Sequence, residues 1–596
     1  MEKEENALPR WNLDSLYSGF DDPAYRQDIK NVETATGKLR TMVEDTRKAS
    51  TEGEMWIAGC IDVLNDASEK LENLESYTAC RYTTATTDRE AVRRMNRIEE
   101  LEVPLWAARA GFREILDRMD IPVDEICREG SALETYRFFL LEELEYRKFQ
   151  MTTAEENLAA DLARPGAVAW SRLQETISST ESVTWDEKTG ERKTIVELRA
   201  LAYDADRTIR EKAYKAELAA WKRVELPMAY ALNGVKGFSV IINSRRGHET
   251  TLDRSAMQNR ISTKALEAMT GVMKESLPMF RDYLKAKAGI LGVEKTAFFD
   301  LFAPVGESES RWDFPTTRDF ILEQFHTFSD EYGAFGEKAF REGWIDAEPR
   351  EGKVGGAYCT SFSSPWESRV LCNFDRSFNS VTTIAHELGH AYHHHVMEGN
   401  RFLTRDYPMT LAETASIFSE NIVYGTLLSE LKKEEKVPVL EAFLQDSCQV
   451  IVDILSRFLF ESAVFEKRRD GELSPEEFCA LMTDAQKQTY GDGLDPDLLH
   501  PYMWAVKGHY YSYDLAFYNF PYAFGLLFGL GLYGRYMEEG PAFTGRYRAI
   551  LENTGKASAV DVARGAGFDI EQPDFWRTGI AVIADRVHEF RGAAGQ

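Results

Sequence analysis

The sequence predicts a mainly α-helical protein with small β elements, and three observations carry that reading. Apolar residues recur at helical spacing over most of the chain, and β-prone runs are confined to two short regions. The third is size: 596 residues, 43% of them hydrophobic, exceed what a single core usually holds, so two or more lobes are expected. We divide the chain into an N-terminal helical, lobe-forming region, residues 1–200, and a second region, 201–596, that carries a histidine cluster.

The helical pattern is clear early in the chain. Ile57, Ile61, Leu64, Leu71 and Leu74 would share one face, and Val92, Met95, Ile98 and Leu101 another, with charges between them. VTWDEKTGERKTI (183–195) places a glycine-containing turn between β-prone runs and would mark the join between the two regions. GGAYCTSFSSPWESRVLCNF (355–374) reads as a hairpin around SSPWES, just upstream of the histidines. The uncharged stretch LAFYNFPYAFGLLFGLGLY (515–533) is long enough to span a bilayer, but Pro521, Gly525, Gly529 and Gly531 interrupt it, so buried core is expected.

Composition narrows the function. Lys+Arg 71 against Asp+Glu 98 gives a net charge of −27, which repels phosphate backbones and anionic lipid, so neither nucleic acid nor membrane is expected as a partner. Cys60, Cys80, Cys127, Cys359, Cys372, Cys448 and Cys479 are odd in number and form no CxxC pair, as in a reducing compartment without a cysteine metal cluster. The acidic start MEKEENALPRWN lacks the apolar run of a signal peptide, and a cytoplasmic location is expected.

Five of the ten histidines fall within VTTIAHELGHAYHHHVMEGN (381–400). On a helix over 381–397, His386 and His390 project from one face one turn apart and can grip one metal ion, with Glu387 beside them within reach of a water. Gly389 would let another segment pack closely at that level. A catalytic zinc site needs a third protein ligand, and the nearest good candidate is Glu413 in TLAETASIFSE, on a following helix with Thr410 as its N-cap. Glu420, two turns beyond Glu413, could accept the free N–H of a ligand histidine. His393 shares the face of His386 but lies too far along the axis to join the same ion, so a supporting or packing role is expected; His394 and His395 are expected on solvated helix surface. Two further segments read as ordinary surface: YGDGLDPDLLH (490–500), without EF-hand ligand spacing, as a turn, and NSRRGHETTLDRS (243–255) as a solvated loop.

Taken together, LPRWNLDSLYSGFDDPAY, GGAYCTSF, RVLCNFDRSFNSVTTIAHELGHAYH, YPMTLAETASIFSE and GHYYSYDLAFYNFPYAFG resemble, in order and over nearly the whole chain, the oligoendopeptidase F branch of the thimet oligopeptidase-like zinc peptidases. The resemblance implies a two-lobed helical bowl or clam enclosing a deep channel that admits short unstructured peptides. It implies one zinc ion on His386, His390 and Glu413, with Glu387 as the catalytic glutamate. It also implies oxyanion donors in the segment 508–525, matched best by His509, Tyr518 and Tyr522, with Tyr510, Tyr511 and Tyr513 close by in sequence. The chemistry expected is hydrolysis of internal peptide bonds, with zinc-activated water and Glu387 moving the proton. An extended substrate could pair with the edge of the 355–374 hairpin near Tyr358, where Gly355 and Gly356 would permit close approach. Alternatives are a dipeptidyl carboxypeptidase with the same zinc site and a non-catalytic peptide-binding protein. The partners expected are short peptides, and the chain is expected to act as a monomer.

Overall fold

The structure, a computed structural model, describes residues 8–306 and 312–595. In chain order, the elements used below are α1 (Pro23–Glu44), α2 (Thr46–Thr84), α3 (Arg89–Met119), β1 (Ser182–Asp186), β2 (Glu191–Thr194), α4 (Arg207–Arg246), β3 (Ile345–Asp346), β4 (Tyr358–Phe362), β5 (Glu367–Leu371), α5 (Phe378–Val396), α6 (Thr414–Glu430), α7 (Ile454–Arg468), α8 (Phe520–Glu539) and α9 (Pro573–Ala593). Among the described residues the molecule is mostly helical with two small sheets, as the periodicity requires. Packing divides it into two compact units, each built from three stretches of chain, and the exchanges do not fall at residue 200. One unit holds 1–148, 309–429 and 535–568; the other holds 149–308, 430–534 and 569–596.

In the first unit α1, α2 and α3 pack side by side. Asp22 and Asp88 start α1 and α3 by accepting hydrogen bonds from the backbone N–H groups of Ala24 and Glu90, both at 2.8 Å, which satisfies donors a helix leaves unpaired. Ile57, Ile61, Leu64, Leu71 and Leu74 are all buried in one core, as their spacing predicts. The stripe on α3 departs from expectation. Val92 is 40% exposed, and the inward row runs through Ala91, Ile98, Leu101, Leu105 and Phe112, because Ala91 falls seven residues before Ile98 and takes the position facing α1 and α2.

The same unit holds a three-stranded sheet in the order β3-β5-β4, with β5 parallel to β3 and antiparallel to β4. The expected hairpin is therefore present, with Tyr358 opposite Leu371 and Phe362 opposite Glu367, and β4 is an outer strand. Gly356 has φ +80°, so the turn before β4 needs glycine for its backbone, and a Cβ on either Gly355 or Gly356 would touch nothing within 4 Å. The Tyr358 hydroxyl is tied to Thr83 of α2 at 2.7 Å.

In the second unit β1 and β2 form the hairpin expected at 183–195. The apolar stretch 515–533 enters α8, whose residues Phe520, Ala523, Phe524 and Leu526–Leu532 are buried. Gly579 of α9 brings the two backbones together, since a Cβ there would lie 2.6 Å from the carbonyl oxygen of Leu527. Among the described residues no helix is long and apolar enough to cross a membrane. The segment 243–255 is not a free loop: it is the end of α4, where Arg246 pairs with Glu156 at 2.6 Å, followed by a short helix capped by Thr250. The segment 490–500 turns at the surface as expected, with Asp492, Pro496 and Asp497 exposed and the Leu498 N–H donating to the carbonyl of Asp495, while Leu494 and His500 anchor it in the core.

Candidate metal centre

The helix that carries HELGH starts at Ser377, whose hydroxyl accepts from the N–H of Ser380. Val381, Ile384, Ala385, Leu388, Ala391, Tyr392 and Val396 bury most of its circumference, so α5 runs through the first unit with one open strip. His386 and His390 occupy that strip, their rings 5.0 Å apart and nearly perpendicular at 82°.

Glu413 reaches the same place from the next element. Pro408, not Thr410, begins the local helical structure: Met409–Ala412 form a single turn in which Thr410 is buried, and Glu413 follows at its end. The carbonyl of Glu413 accepts from the N–H of Ile417, which starts α6. What lets α6 approach is Gly389, as its position in the pentad suggests. A Cβ there would lie 2.5 Å from Ser419 Oγ, 2.6 Å from the carbonyl oxygen of Ala415 and 2.7 Å from Ser416 Cα.

One donor atom from each of His386, His390 and Glu413 lies within 4.8 Å of the other two. Glu413 Oε2 is 3.3 Å from His386 Nε2 and 3.4 Å from His390 Nε2. Ligands about 2.0–2.1 Å from a tetrahedral zinc ion stand about 3.3–3.4 Å apart, so this N/N/O set fits such an ion. The three side chains are 26, 21 and 22% exposed, which leaves the position open to a fourth group. Ser416 Oγ donates to Glu413 Oε2 at 2.7 Å and orients it. Glu420 Oε2 faces the other nitrogen of His386, Nδ1, at 3.5 Å, the place its helical spacing suggested.

The electrostatics are strongly polarised. Burial opposes charge on His386, but the carboxylates of Glu413 and Glu420 outweigh it and raise its pKa well above the usual value. Against its own burial, Glu413 is held far below the carboxylate range by the two imidazoles. Glu387, next in sequence to His386, is buried, and burial pushes its carboxyl up, with the imidazoles of His386 and His390 pulling the other way.

The remaining histidines of α5 divide differently from expectation. His393 is fully buried, stacked on Tyr407 with ring centroids 4.3 Å apart and bonded through Nε2 to Thr554 Oγ1 at 2.8 Å, a packing role. His394 is not on solvated surface, and His395 is half-buried rather than fully solvated. His394 is 5% exposed and stacks on Trp366 at 4.3 Å; His395 stacks on Phe335 at 5.1 Å. Aromatic partners distant in sequence cover them, which helical spacing alone cannot reveal. Sequence reading also passed over Tyr407, which sits in the quoted YPMTLAE block; its pKa is raised by burial and by nearby Cys359 and Glu413.

In the second unit, His509, Tyr518 and Tyr522 come together. The His509 ring packs on Tyr518 with centroids 5.7 Å apart, and the hydroxyls of Tyr518 and Tyr522, one helical turn apart in sequence, are 2.7 Å from each other. Their neighbours differ: Tyr510 and Tyr511 are fully buried, and Tyr513 packs edge-on against Phe238. Asn519 and Arg457, which touch or back His509, were not found by motif reading, because an asparagine and an arginine at unrelated positions carry no local pattern.

Comparison with known proteins places these features. The sequence pattern of Oligopeptidase F matches residues 114–180, and that of Peptidase family M3 matches residues 200–582. Group B oligopeptidase PepB of Streptococcus agalactiae is 26% identical over 395 residues, and the chromosomal oligoendopeptidase F of Lactococcus lactis subsp. cremoris is 26% identical over 397. Each alignment spans 65% of this chain and 65% of the length of the relative. The crystal structure of oligoendopeptidase-F from Enterococcus faecium superimposes with a TM-score of 0.69 at 18% identity, covering 95% of this chain and 98% of its own. A Chlamydophila abortus protein of known crystal structure gives 0.83 at 20% identity, with 98% of both chains covered. At these identities the structural likeness is one of fold. With more than half of its residues matched by one family pattern, the chain belongs to peptidase family M3.

Proposed function

We propose that the chain is a zinc-dependent oligoendopeptidase that hydrolyses internal bonds of short, unstructured peptides, holds one zinc ion, and works in the cytoplasm. The observation that carries this reading is the donor set of His386, His390 and Glu413 with the buried carboxyl of Glu387 beside it, in a member of a peptidase family. Relatives named oligoendopeptidase F support the endo class. Seven unpaired cysteines support a reducing compartment, and the net charge of −27 supports peptides rather than polyanions as partners.

The chemistry that zinc would supply there is Lewis acidity, which makes water nucleophilic near neutral pH and polarises a carbonyl. Glu387 accepts the proton of the attacking water and then gives it to the departing nitrogen. Its burial favours that role, because a carboxylate drawn out of water is a stronger base. Glu420 accepts the Nδ1 proton of His386 and so leaves Nε2 with its lone pair free. His509, Tyr518 and Tyr522 donate to the oxyanion, an assignment that rests on the family resemblance and is supported by their mutual packing.

The test is cleavage of an internally quenched peptide library by wild type and Glu387→Gln, with metal content measured and products sized by mass spectrometry. Both proteins should hold one zinc ion, and the variant should lose about 10²–10⁴-fold in kcat. If zinc is present and neither protein cuts any peptide, a binding role replaces the catalytic one. Peptides with an amidated C-terminus should be cut as well as free ones; loss of their cleavage would favour the dipeptidyl carboxypeptidase.

A further inference from the structure

The imidazole of His509 is held by a chain of groups that the metal site does not use. Its Nε2 lies 2.6 Å from Nδ2 of Asn519, and the other face of that amide, Oδ1, lies 2.8 Å from Nη1 of Arg457. A guanidinium can only donate, so the amide atom facing Arg457 is the oxygen and the atom facing His509 is the NH₂ group. The ring nitrogen that receives this donor must offer a lone pair, which leaves the proton of a neutral His509 on Nδ1. Nδ1 has no hydrogen-bond partner among the described residues.

Arg457 is itself fixed. Its Nη2 donates to Asp453, which closes the π turn Gln449–Asp453 and also accepts from Gln449 Nε2 at 2.7 Å. Such turns inside helices occur frequently at functional sites. Asn519 is 8% exposed, and the side chains of Arg457 and Asp453 are 11% and 7% exposed, so water has little access to exchange with these partners. Burial, followed by the cations Arg457, Lys236 and Lys507, pushes His509 down to about 2, so the ring is neutral throughout the working pH range.

We infer that Arg457 and Asn519 are positioning residues that lock His509 as the neutral Nδ1–H tautomer, so that Nδ1 is its single donor. The value of this lock for catalysis rests on the oxyanion role given to His509 above. An imidazole with its proton on the wrong nitrogen presents a lone pair where a donor is needed, and repels the charge it should stabilise.

The experiment is ¹⁵N NMR of the intact protein labelled at histidine, with the His509 resonances assigned by their disappearance in His509→Gln. Wild type should show a protonated Nδ1 and a bare Nε2 from pH 6 to 8 (~2 units of ordinary working range). Asn519→Asp replaces the donor by an acceptor, so the proton should move to Nε2. In peptide cleavage that variant should lose at least about 10-fold in kcat with KM changed less than about 3-fold. A wild-type spectrum with the proton on Nε2 overturns the inference whether or not any variant folds, and so does an Asn519→Asp protein with unaltered kcat and nitrogen shifts. A His509→Gln protein with full kcat would instead remove the oxyanion assignment, while the spectra still decide the tautomer.

Discussion

The two halves of α5 carry the same side chain to opposite ends. His386 and His390 keep about a quarter of their surface exposed and face the carboxylates of Glu413 and Glu420. One turn further on, His393, His394 and His395 are covered by Tyr407, Trp366 and Phe335. The carboxylates drive His386 toward its charged form, whereas burial among aromatic rings holds His393 at about 3 and His394 well below its ordinary value. The difference teaches that histidine's role here is assigned by what packs opposite, not by its place in a run.

The contrast breaks most completely at Gly389. In Gly389→Ala the added Cβ meets backbone atoms of α6 at 2.6 and 2.7 Å, so the helix must move and carry Glu413 with it. The expected result is about 1–3 kcal/mol of lost stability together with loss of bound zinc, read by denaturant unfolding and by metal analysis. Full retention of both would mean that the close contact does not place the third ligand.

A smaller effect is expected at Glu420. Glu420→Gln removes the charge facing His386 Nδ1 and should weaken zinc affinity about 10–100-fold in a competition with a chelator, with little change in thermal stability. Unchanged affinity would confine Glu420 to packing.

The neutral half is probed by acid. The folded-state pKa of His393, about 3, lies below its ordinary 6.5, so the unfolded chain binds the proton first and stability is lost as pH falls from 6.5 toward 3. At pH 5 the loss from this group is about 2 kcal/mol. Urea unfolding of His393→Asn should therefore fall less steeply between pH 7 and pH 5 than that of wild type; parallel curves would show that His393 is not held neutral. The least effect is expected from His395→Ala, about 1 kcal/mol for its stacking on Phe335, with zinc content unchanged.

The residues that were legible in the sequence are those whose partners are near in the chain or share a helical period. The core row Ile57 to Leu74, the hairpins at 183–195 and 355–374, and the pairing of His386 with His390 follow from periods of 3.6 and 2 and from turn residues. Where a period could be met by two adjacent residues it misled: Val92 and Ala91 both fit before Ile98, and only packing against α1 and α2 chose the smaller one. Thr410 misled for a related reason, because a threonine before an apolar run suits a cap, yet Pro408 two residues earlier had already turned the chain into a helix.

By itself the sequence determined a mainly helical chain, an HExxH helix with a glycine between its two histidines, and a second helix following a glutamate, since each is written within about one or two helical turns of itself. Tertiary structure alone decided the rest. It covered His394 with Trp366 and His395 with Phe335, and it brought Arg457 and Asn519 to His509 from 52 and 10 residues away (509 − 457 and 519 − 509). The physical reason is that burial and tautomer are set by the atoms that surround a group, and those atoms are chosen by packing between segments whose separation along the chain carries no period.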